Sequence, residues 1–432
     1  MKIKTDKPDF GDLVEVFLVK RKYQGIFLEN LGEKDILLLK LNSGYNIGFR
    51  KKEILGVKII ERFKEREGER EDLDLKASRE KPKIGMIITG GTIAARLNPK
   101  KGGVDWLTKP EDLFRIYPKV FDIANVELDV PFMKASEDMD FRDWQKIARS
   151  AKKFLDRQDI KGVIITHGTD FLHYTSAALS FFLRDLKKPV VLTYSQRSID
   201  RASSDATLNL ECSALAAISD IAEVMLVGHG TINDDYCFAM PGTKTMKMHT
   251  SRRDTFKVIN GKPFAKIYPN KVIKISDYNL RVKGKGKVKT DLKFEEKVAL
   301  VKIYPGQDPE ILDYYSKKKY RGLILEMSGL GHVPSRKARK SWINKLKEIQ
   351  KKGIVICATP QTIYGRLDSW VYSNGRELAK IGIIYLEDML SETALVKLGW
   401  VLGHPEWAKS KDKVKEKMFE NIAGEFSDRL EK

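Results

Sequence analysis

The sequence predicts an α/β protein with two domains built on mostly parallel sheets, preceded by a small antiparallel β-barrel. Three observations lead there. The chain has 432 residues, too many for one compact core and enough for two or three domains. Residues 1–62 carry five short β-like runs with no helical pattern between them. From residue 84 onward apolar strands alternate with amphipathic helices over short connections, which means a parallel sheet wrapped by helices.

The barrel strands are expected at 13–19, 23–28, 36–41, 45–49 and 54–60, separated by turn-type stretches such as 29–32 and 42–44. Residues 63–83 turn into Lys, Glu, Arg and Asp with little to bury, and Pro82 closes them, so they read as a charged linker. A first α/β domain occupies 84–280. Strands are expected at 84–89, 126–133, 162–166, 190–194 and 223–227, with helices at 141–157, 171–186 and 206–221. In 141–157 the apolar residues Trp144, Ile147, Ala148, Ala151, Phe154 and Leu155 recur at helical spacing. Residues 281–295 are basic, glycine-bearing and aperiodic at their start, and read as a second linker. The smaller domain, 296–432, resumes the alternation. Its strands are expected at 298–304, 322–327 and 354–358 and its helices at 309–318, 339–351 and 387–401, ending in a mainly helical part.

Composition excludes several classes. With 42% apolar and 32% charged residues the chain can fold, and it contains no uninterrupted apolar run of about 18 residues that could span a bilayer. Residues 1–5 carry no apolar stretch with a small-residue cleavage site, so a cytoplasmic protein without membrane attachment is expected. Cys212, Cys237 and Cys357 are odd in number and widely spaced, which excludes a disulfide scaffold and a cysteine-rich zinc site. The histidines are scattered, with no HExxH, and no metal is expected. Lys and Arg number 79 against 59 Asp and Glu, a net charge of +20. Two readings of that excess stand level: an anionic partner such as nucleic acid, or the Lys/Glu-rich surface of a heat-adapted protein.

Three segments end apolar strands with a glycine and a hydroxyl, or a hydroxyl alone: TGGTIA at 89–94, THGTD at 166–170, and the stretch 195–209. Glycine lets the backbone turn sharply or approach a ligand, and the ligand crevice of a parallel sheet lies beyond its carboxyl ends. Taken singly, each of these hydroxyls is better explained as a strand-end cap. Nucleotide binding finds no support, because Gly90-Gly91-Thr92 lacks dinucleotide spacing and no GxxxxGK[ST] loop occurs.

GGTIA followed by THGTD and then by a lysine in KMHT (Lys247), together with Ser136-Glu137-Asp138 and the run 201–205, resembles the bacterial-type asparaginase and glutaminase family over residues 83–432. With the barrel and charged linker added, the chain is similar to the glutaminase subunits of archaeal tRNA amidotransferases. The resemblance implies an asparaginase-like two-domain fold and hydrolysis of the glutamine side-chain amide. It implies Thr92 as primary nucleophile and Thr169, Asp170 and Lys247 as a second constellation with Lys247 as base, ahead of Lys244 and Lys257. It implies substrate binding by Ser136, Glu137, Gly91, Gly168 and Ser195, with Asp170 also holding the α-ammonium and Ser136 the α-carboxylate. Glu137 stands where many asparaginases carry Gln, and the loop tyrosine of free asparaginases has no counterpart in 98–106. His167 and His173 read as structural hydrogen-bonders.

The resemblance further implies a homodimer within a heterotetramer. The expected partner is the E-type component of the amidotransferase, amidating Glu-tRNA(Gln) with ATP and Mg, with no cofactor held by this chain. Residues 329–335 are the candidate for completing the cleft across the dimer. Two other readings compete: a free-standing asparaginase/glutaminase with an added barrel, and a non-catalytic tRNA-binding scaffold.

Overall fold

The structure, a computed structural model, describes residues 6–28, 35–42, 45–63, 80–98, 103–106, 117–199, 203–281 and 287–428, and most of the 63–83 linker and part of the 281–295 linker lie outside them. The N-terminal unit is a five-stranded antiparallel sheet. Its strands are β1 (Leu13–Phe17), β2 (Lys22–Leu28), β3 (Ile36–Leu41), β4 (Asn46–Arg50) and β5 (Gly56–Glu61), in the order β4-β3-β2-β1-β5. A 3₁₀ turn at Lys51–Glu53 joins the two edge strands. Val14, Val16, Leu37, Leu39, Phe49 and Val57 form a core of its own, as expected of strands with one buried face.

The central sheet has eight strands. β6 (Lys83–Ile88) leads to a short antiparallel pair, β7 (Ala95–Asn98) and β8 (Gly103–Trp106), where the sequence suggested only a loop. Helix α1 (Pro118–Ile123), β9 (Asn125–Asp129), α2 (Phe141–Leu155), β10 (Ile160–Thr166) and α3 (Leu172–Phe182) follow. Then come β11 (Leu183–Arg184), β12 (Val190–Thr193), α4 (Ala206–Ile218), β13 (Val224–His229), β14 (Cys237–Pro241), β15 (Thr245–Lys247), β16 (Phe256–Val258), β17 (Ala265–Tyr268) and β18 (Lys271–Lys274). The order is β18-β17-β14-β13-β12-β10-β6-β9. From β13 to β9 every pairing is parallel, whereas β14, β17 and β18 extend the sheet antiparallel. That antiparallel extension has no counterpart in the sequence reading, which stopped at the β13 strand. Its strands have only four or five residues each, and the outermost, β18, is exposed along its whole length, so local periodicity marks them weakly.

Helix α2 starts at Asp140, whose carboxylate accepts from Arg142 N at 2.8 Å while Asp143 accepts from Asp140 N at 3.2 Å, a reciprocal cap. Its apolar stripe covers the sheet beside β10: a Cβ on Gly85 would lie 2.4 Å from the Phe154 ring.

Residues read as an aperiodic linker include β19 (Lys289–Thr290), which pairs with β11. The C-terminal domain is a parallel four-stranded sheet, β20 (Val298–Lys302), β21 (Gly322–Met327), β22 (Val355–Pro360) and β23 (Ile384–Tyr385), in sequence order. Its helices are α5 (Ile311–Lys317), α6 (Ile343–Lys351), α7 (Ser373–Ile381), α8 (Ser391–Leu402), α9 (Pro405–Ala408) and α10 (Lys411–Phe419). The expected 339–351 and 387–401 helices start later, at Ile343 and Ser391.

One hydrophobic cluster joins the two α/β domains. Phe181 and Phe182 of α3 and Trp400 and Leu402 of α8 belong to it, and the Phe181 and Trp400 rings stack at 5.7 Å. Each such buried side chain contributes about 1.5–3 kcal/mol.

After α10 the tail 420–428 wraps around a buried ion pair. Lys397 of α8 meets Glu425 at 2.5 Å and donates to the Met418 and Glu420 carbonyls at 2.9 and 2.6 Å, while Glu425 also accepts from Ile422 N and Ala423 N. Removing the cation would leave a carboxylate stranded in the core. Lys397→Met is therefore expected to cost about 3–5 kcal/mol of stability. Urea titration followed by circular dichroism measures it; an unchanged midpoint would show that the pair is dispensable.

Candidate active site

β6 and β10 are parallel neighbours, with Ile88 opposite Thr166. Thr89, just past β6, is fully buried, and its hydroxyl donates to the Thr166 carbonyl at 2.8 Å. The chain then turns through Gly90 (φ +127°) and Gly91 (φ +84°), a left-handed stretch that suits glycine. Space demands glycine as well. A Cβ at Gly90 would lie 2.2 Å from the Lys134 carbonyl oxygen, and one at Gly91 would lie 2.5 Å from the His167 carbonyl and 2.6 Å from Gly168 N. The TGGT and THGT turns thus touch backbone to backbone, and Thr92 and Thr169 each follow the touching glycine by one residue.

A third turn joins them. Gly168 packs on Ser136, which is buried in the 3₁₀ turn Ser136–Asp138, and the Ser136 hydroxyl accepts from Phe171 N at 3.3 Å. Glu137 beside it is exposed, with Oε2 3.4 Å from the Ser136 hydroxyl. The fourth contribution comes from a separate two-stranded antiparallel sheet, β15 with β16. Lys247 ends β15, which β16 holds in register. Its Nζ donates to Thr169 Oγ1 at 2.9 Å and to Asp170 Oδ1 at 2.7 Å; the lysine side chain is 11% exposed and the carboxylate 60%. An ammonium that is largely shielded therefore ties a hydroxyl to a carboxylate open to solvent.

Lys244 and Lys257 point elsewhere. Lys244 is buried against Asp388 at 2.5 Å, and Lys257 pairs with Asp254 at 2.7 Å. The structure thus gathers Gly91, Thr92, Ser136, Glu137, Gly168, Thr169, Asp170 and Lys247 in and around adjoining turns.

Ser195 belongs to a separate network. It lies at the end of β12, buried, with its hydroxyl on Asp205 at 3.0 Å and close to the Arg197 carbonyl. Asp205 is fully buried and accepts from Gln196 N and Arg197 N at 2.9 and 3.0 Å, so this carboxylate organises the 195–205 turn. Of the 201–205 motif, Arg201 and Ala202 lie outside the described residues, as do residues 99–102 of the loop after Thr92. The 329–335 segment forms a tight turn after β21, where Tyr385 donates to the Gly331 carbonyl at 2.7 Å.

Nothing in the sequence marks Asp388 as part of this region. It lies 141 positions from Lys247 (388 − 247) in an unremarkable stretch, and only the folded chain brings it to Lys244.

His167 and His173 line the inner side of the site. His167 is wholly buried. Its Nδ1–H donates to the Gly168 carbonyl at 2.7 Å, and Nε2 lies 2.9 Å from Thr175 Oγ1, a hydroxyl that can donate to the neutral ring. Burial pushes its pKa down to about 4, and His173 likewise reaches about 4 through burial and the nearby Lys247 charge. Among the described residues, no group of three or more His, Cys, Asp or Glu is placed to hold a metal ion, and no helix is long and apolar enough to cross a membrane.

Fold and site together define an asparaginase-type α/β protein. The family model "Asparaginase, N-terminal" matches residues 83–279, "Glutaminase/Asparaginase C-terminal domain" matches 297–418, and "GatD N-terminal domain" matches 9–60. Among solved structures, the thermostable L-asparaginase from Thermococcus kodakarensis is similar at 29% identity and a TM-score of 0.71, over 80% of this chain and 100% of that one. L-asparaginase I from Vibrio cholerae is similar at 27% and 0.67, over 80% and 99%. The D-type component of glutamyl-tRNA(Gln) amidotransferase from Thermococcus kodakarensis is 46% identical over 96% of this chain and 94% of its own length. Its counterpart of the same name from Pyrococcus furiosus is 44% identical over 97% and 95%. The chain belongs to this family, the D-type components of glutamyl-tRNA(Gln) amidotransferase.

The two histidines set an acid limit on stability. Both are neutral when folded down to about pH 4, whereas in the unfolded chain they take up protons below about pH 6.5. The unfolded state thus binds more protons between those values, and stability falls as pH drops from about 6.5 to about 4, by up to about 3 kcal/mol for each ring. His167→Gln is expected to flatten this slope. Urea midpoints of wild type and variant at pH 7.5 and 4.5 test it, and parallel slopes would refute it.

Proposed function

We propose that this chain is the glutaminase component of a glutamyl-tRNA(Gln) amidotransferase. It hydrolyses the side-chain amide of glutamine, and the ammonia goes to a partner, the E-type component, which converts Glu-tRNA(Gln) to Gln-tRNA(Gln) with ATP and Mg. The reading rests most on one observation: Lys247 bridges Thr169 and Asp170 beside the turn that presents Thr92.

An amide carbon is a poor electrophile, and a threonine hydroxyl is a weak nucleophile until a base takes its proton. Thr92 Oγ1 attacks the amide carbon; the C–O bond forms, the C–N bond breaks, and ammonia leaves with the proton. Water then attacks the glutamyl ester and restores the hydroxyl. Lys247 is within reach of the Thr169 hydroxyl, which geometry requires of a base. As a neutral amine it would accept the Thr169 proton; as an ammonium it returns one. Asp170 orients Nζ and keeps oxygen exposed to meet a substrate ammonium. Ser136 carries the hydroxyl suited to the substrate carboxylate, and the exposed Glu137 adds negative charge that favours the ammonium end.

A second reading, a free-standing asparaginase with an added N-terminal unit, draws on the similarity to L-asparaginases along their whole length. Kinetics separate the two. The chain alone is expected to release ammonia from glutamine slowly and to accelerate with the amidating partner and charged tRNA, in a salt-sensitive manner, since tRNA engagement releases counterions. Fast, asparagine-preferring hydrolysis by the isolated chain without response to tRNA would establish the second reading instead.

Thr92→Ala and Thr169→Ala are expected to lose glutamine-dependent activity by orders of magnitude while stability changes by no more than about 1–2 kcal/mol. Lys247→Met should lose on the order of 10²–10⁴-fold in kcat, and Lys257→Met little. Near-normal turnover in any of the first three removes that residue from the mechanism.

A further inference from the structure

The strand that carries Lys247 is fastened at its other end to the C-terminal domain and tail. Lys244, one residue before β15, is 4% exposed and meets the fully buried Asp388 at 2.5 Å; the other oxygen of Asp388 accepts from Ser427 N at 3.2 Å. Next to it, Thr243 donates to the Ala423 carbonyl, and its own carbonyl accepts from Thr393 Oγ1, each at 2.8 Å. Beyond the partner strand β16, Asn260 exchanges hydrogen bonds with the Gly365 backbone at 3.0 and 3.1 Å, and its carbonyl accepts from Ser427 Oγ at 2.9 Å. The Lys247 end, by contrast, reaches Thr169 and Asp170 alone through side-chain hydrogen bonds among the described residues.

We propose that Lys244 and Asp388 are positioning residues: their buried cross-domain ion pair, continued by Ser427 of the tail, fixes the β15–β16 pair so that the Lys247 amine meets Thr169. This rests on the site reading above and adds to it the part of the fold that aims the lysine.

The physical case is one of leverage. A three-residue strand paired with one short partner has few hydrogen bonds of its own, and its placement depends on what holds its ends. A buried ion pair is a poor source of net stability compared with an apolar pair, but it is directional and strict about geometry. Its charges come from two domains, so it fixes one relative to the other at the point where Lys247 departs. A base displaced by about 1 Å loses on the order of 100-fold in rate.

The test uses full-length chain, alone and reconstituted with the amidating partner and charged tRNA. Lys244→Met alone strands a buried carboxylate and can prevent folding, so the informative variant is the double Lys244→Met/Asp388→Leu, which keeps the site apolar and filled. Its kcat for ammonia release from glutamine is expected to fall on the order of 100-fold, with KM within about twofold and the melting temperature near wild type. Lys244→Arg is expected to recover part of the rate. Crystal structures of wild type and double variant are expected to differ at one contact, the Lys247–Thr169 separation, which lengthens in the variant.

A folded double variant with unchanged kcat, or with Lys247 still seated on Thr169, overturns the proposal. Lys247→Met in the same series keeps the two ideas apart. If it retains activity, the base assignment fails; if it is inactive while the double variant is fully active, only the positioning role fails.

Discussion

Gly91 lies against the peptide between His167 and Gly168 with no room for a side chain, and the rest of the site depends on that contact. It requires β6 and β10 to be adjacent, parallel and in register, so that their carboxyl ends finish level. The contact then delivers two threonines from strands far apart in sequence to the same place. It also fixes where α3 begins, since that helix starts directly after Asp170 and Phe171. Ser136 closes on Gly168 from the third side. A methyl group on Gly91 would push the two turns apart, and one on Gly168 would press on the Ser136 hydroxyl, 3.0 Å away.

Much of this was legible in the sequence because it rests on local patterns. The five short runs of 1–62 became five antiparallel strands, and the parallel strands ending at Ile88, Thr166 and Thr193 lie where apolar runs stop at glycine or a hydroxyl residue. The resemblance to asparaginases supplied the roles, and the structure supplied the distances. What escaped were the antiparallel strands β14 to β18, segments of three to five residues that are too short to establish a period of their own. Boundaries also drifted. The 171–186 helix stops at Phe182 because Leu183 and Arg184 pair instead with β19, a partner more than a hundred residues away that no local signal announces.

The lysines at 244, 247 and 257 illustrate how one residue type divides its work. All are near in sequence, in a chain with a large excess of cations, and composition treats them alike. Burial and partners separate them. Lys244 is enclosed with a buried carboxylate, and desolvation lowers its pKa. Lys257 lies nearer the surface beside Asp254. Lys247 stands between those extremes, largely shielded itself, yet joined to the Thr169 hydroxyl on one side and to the solvent-open Asp170 carboxylate on the other.

The hydrophobic cluster that unites α3 with α8 has a bearing on modularity. Among the described residues, the apolar core of the N-terminal sheet draws only on that unit's own side chains, so the unit can be removed, exchanged or inherited without opening the other cores. The two α/β halves cannot. Phe181 and Trp400 are each other's interior, and a cut in the connection between those halves would leave both with a bare apolar face. A protein of this design can acquire or lose its front unit in a single genetic step, whereas its two larger halves have to be inherited together.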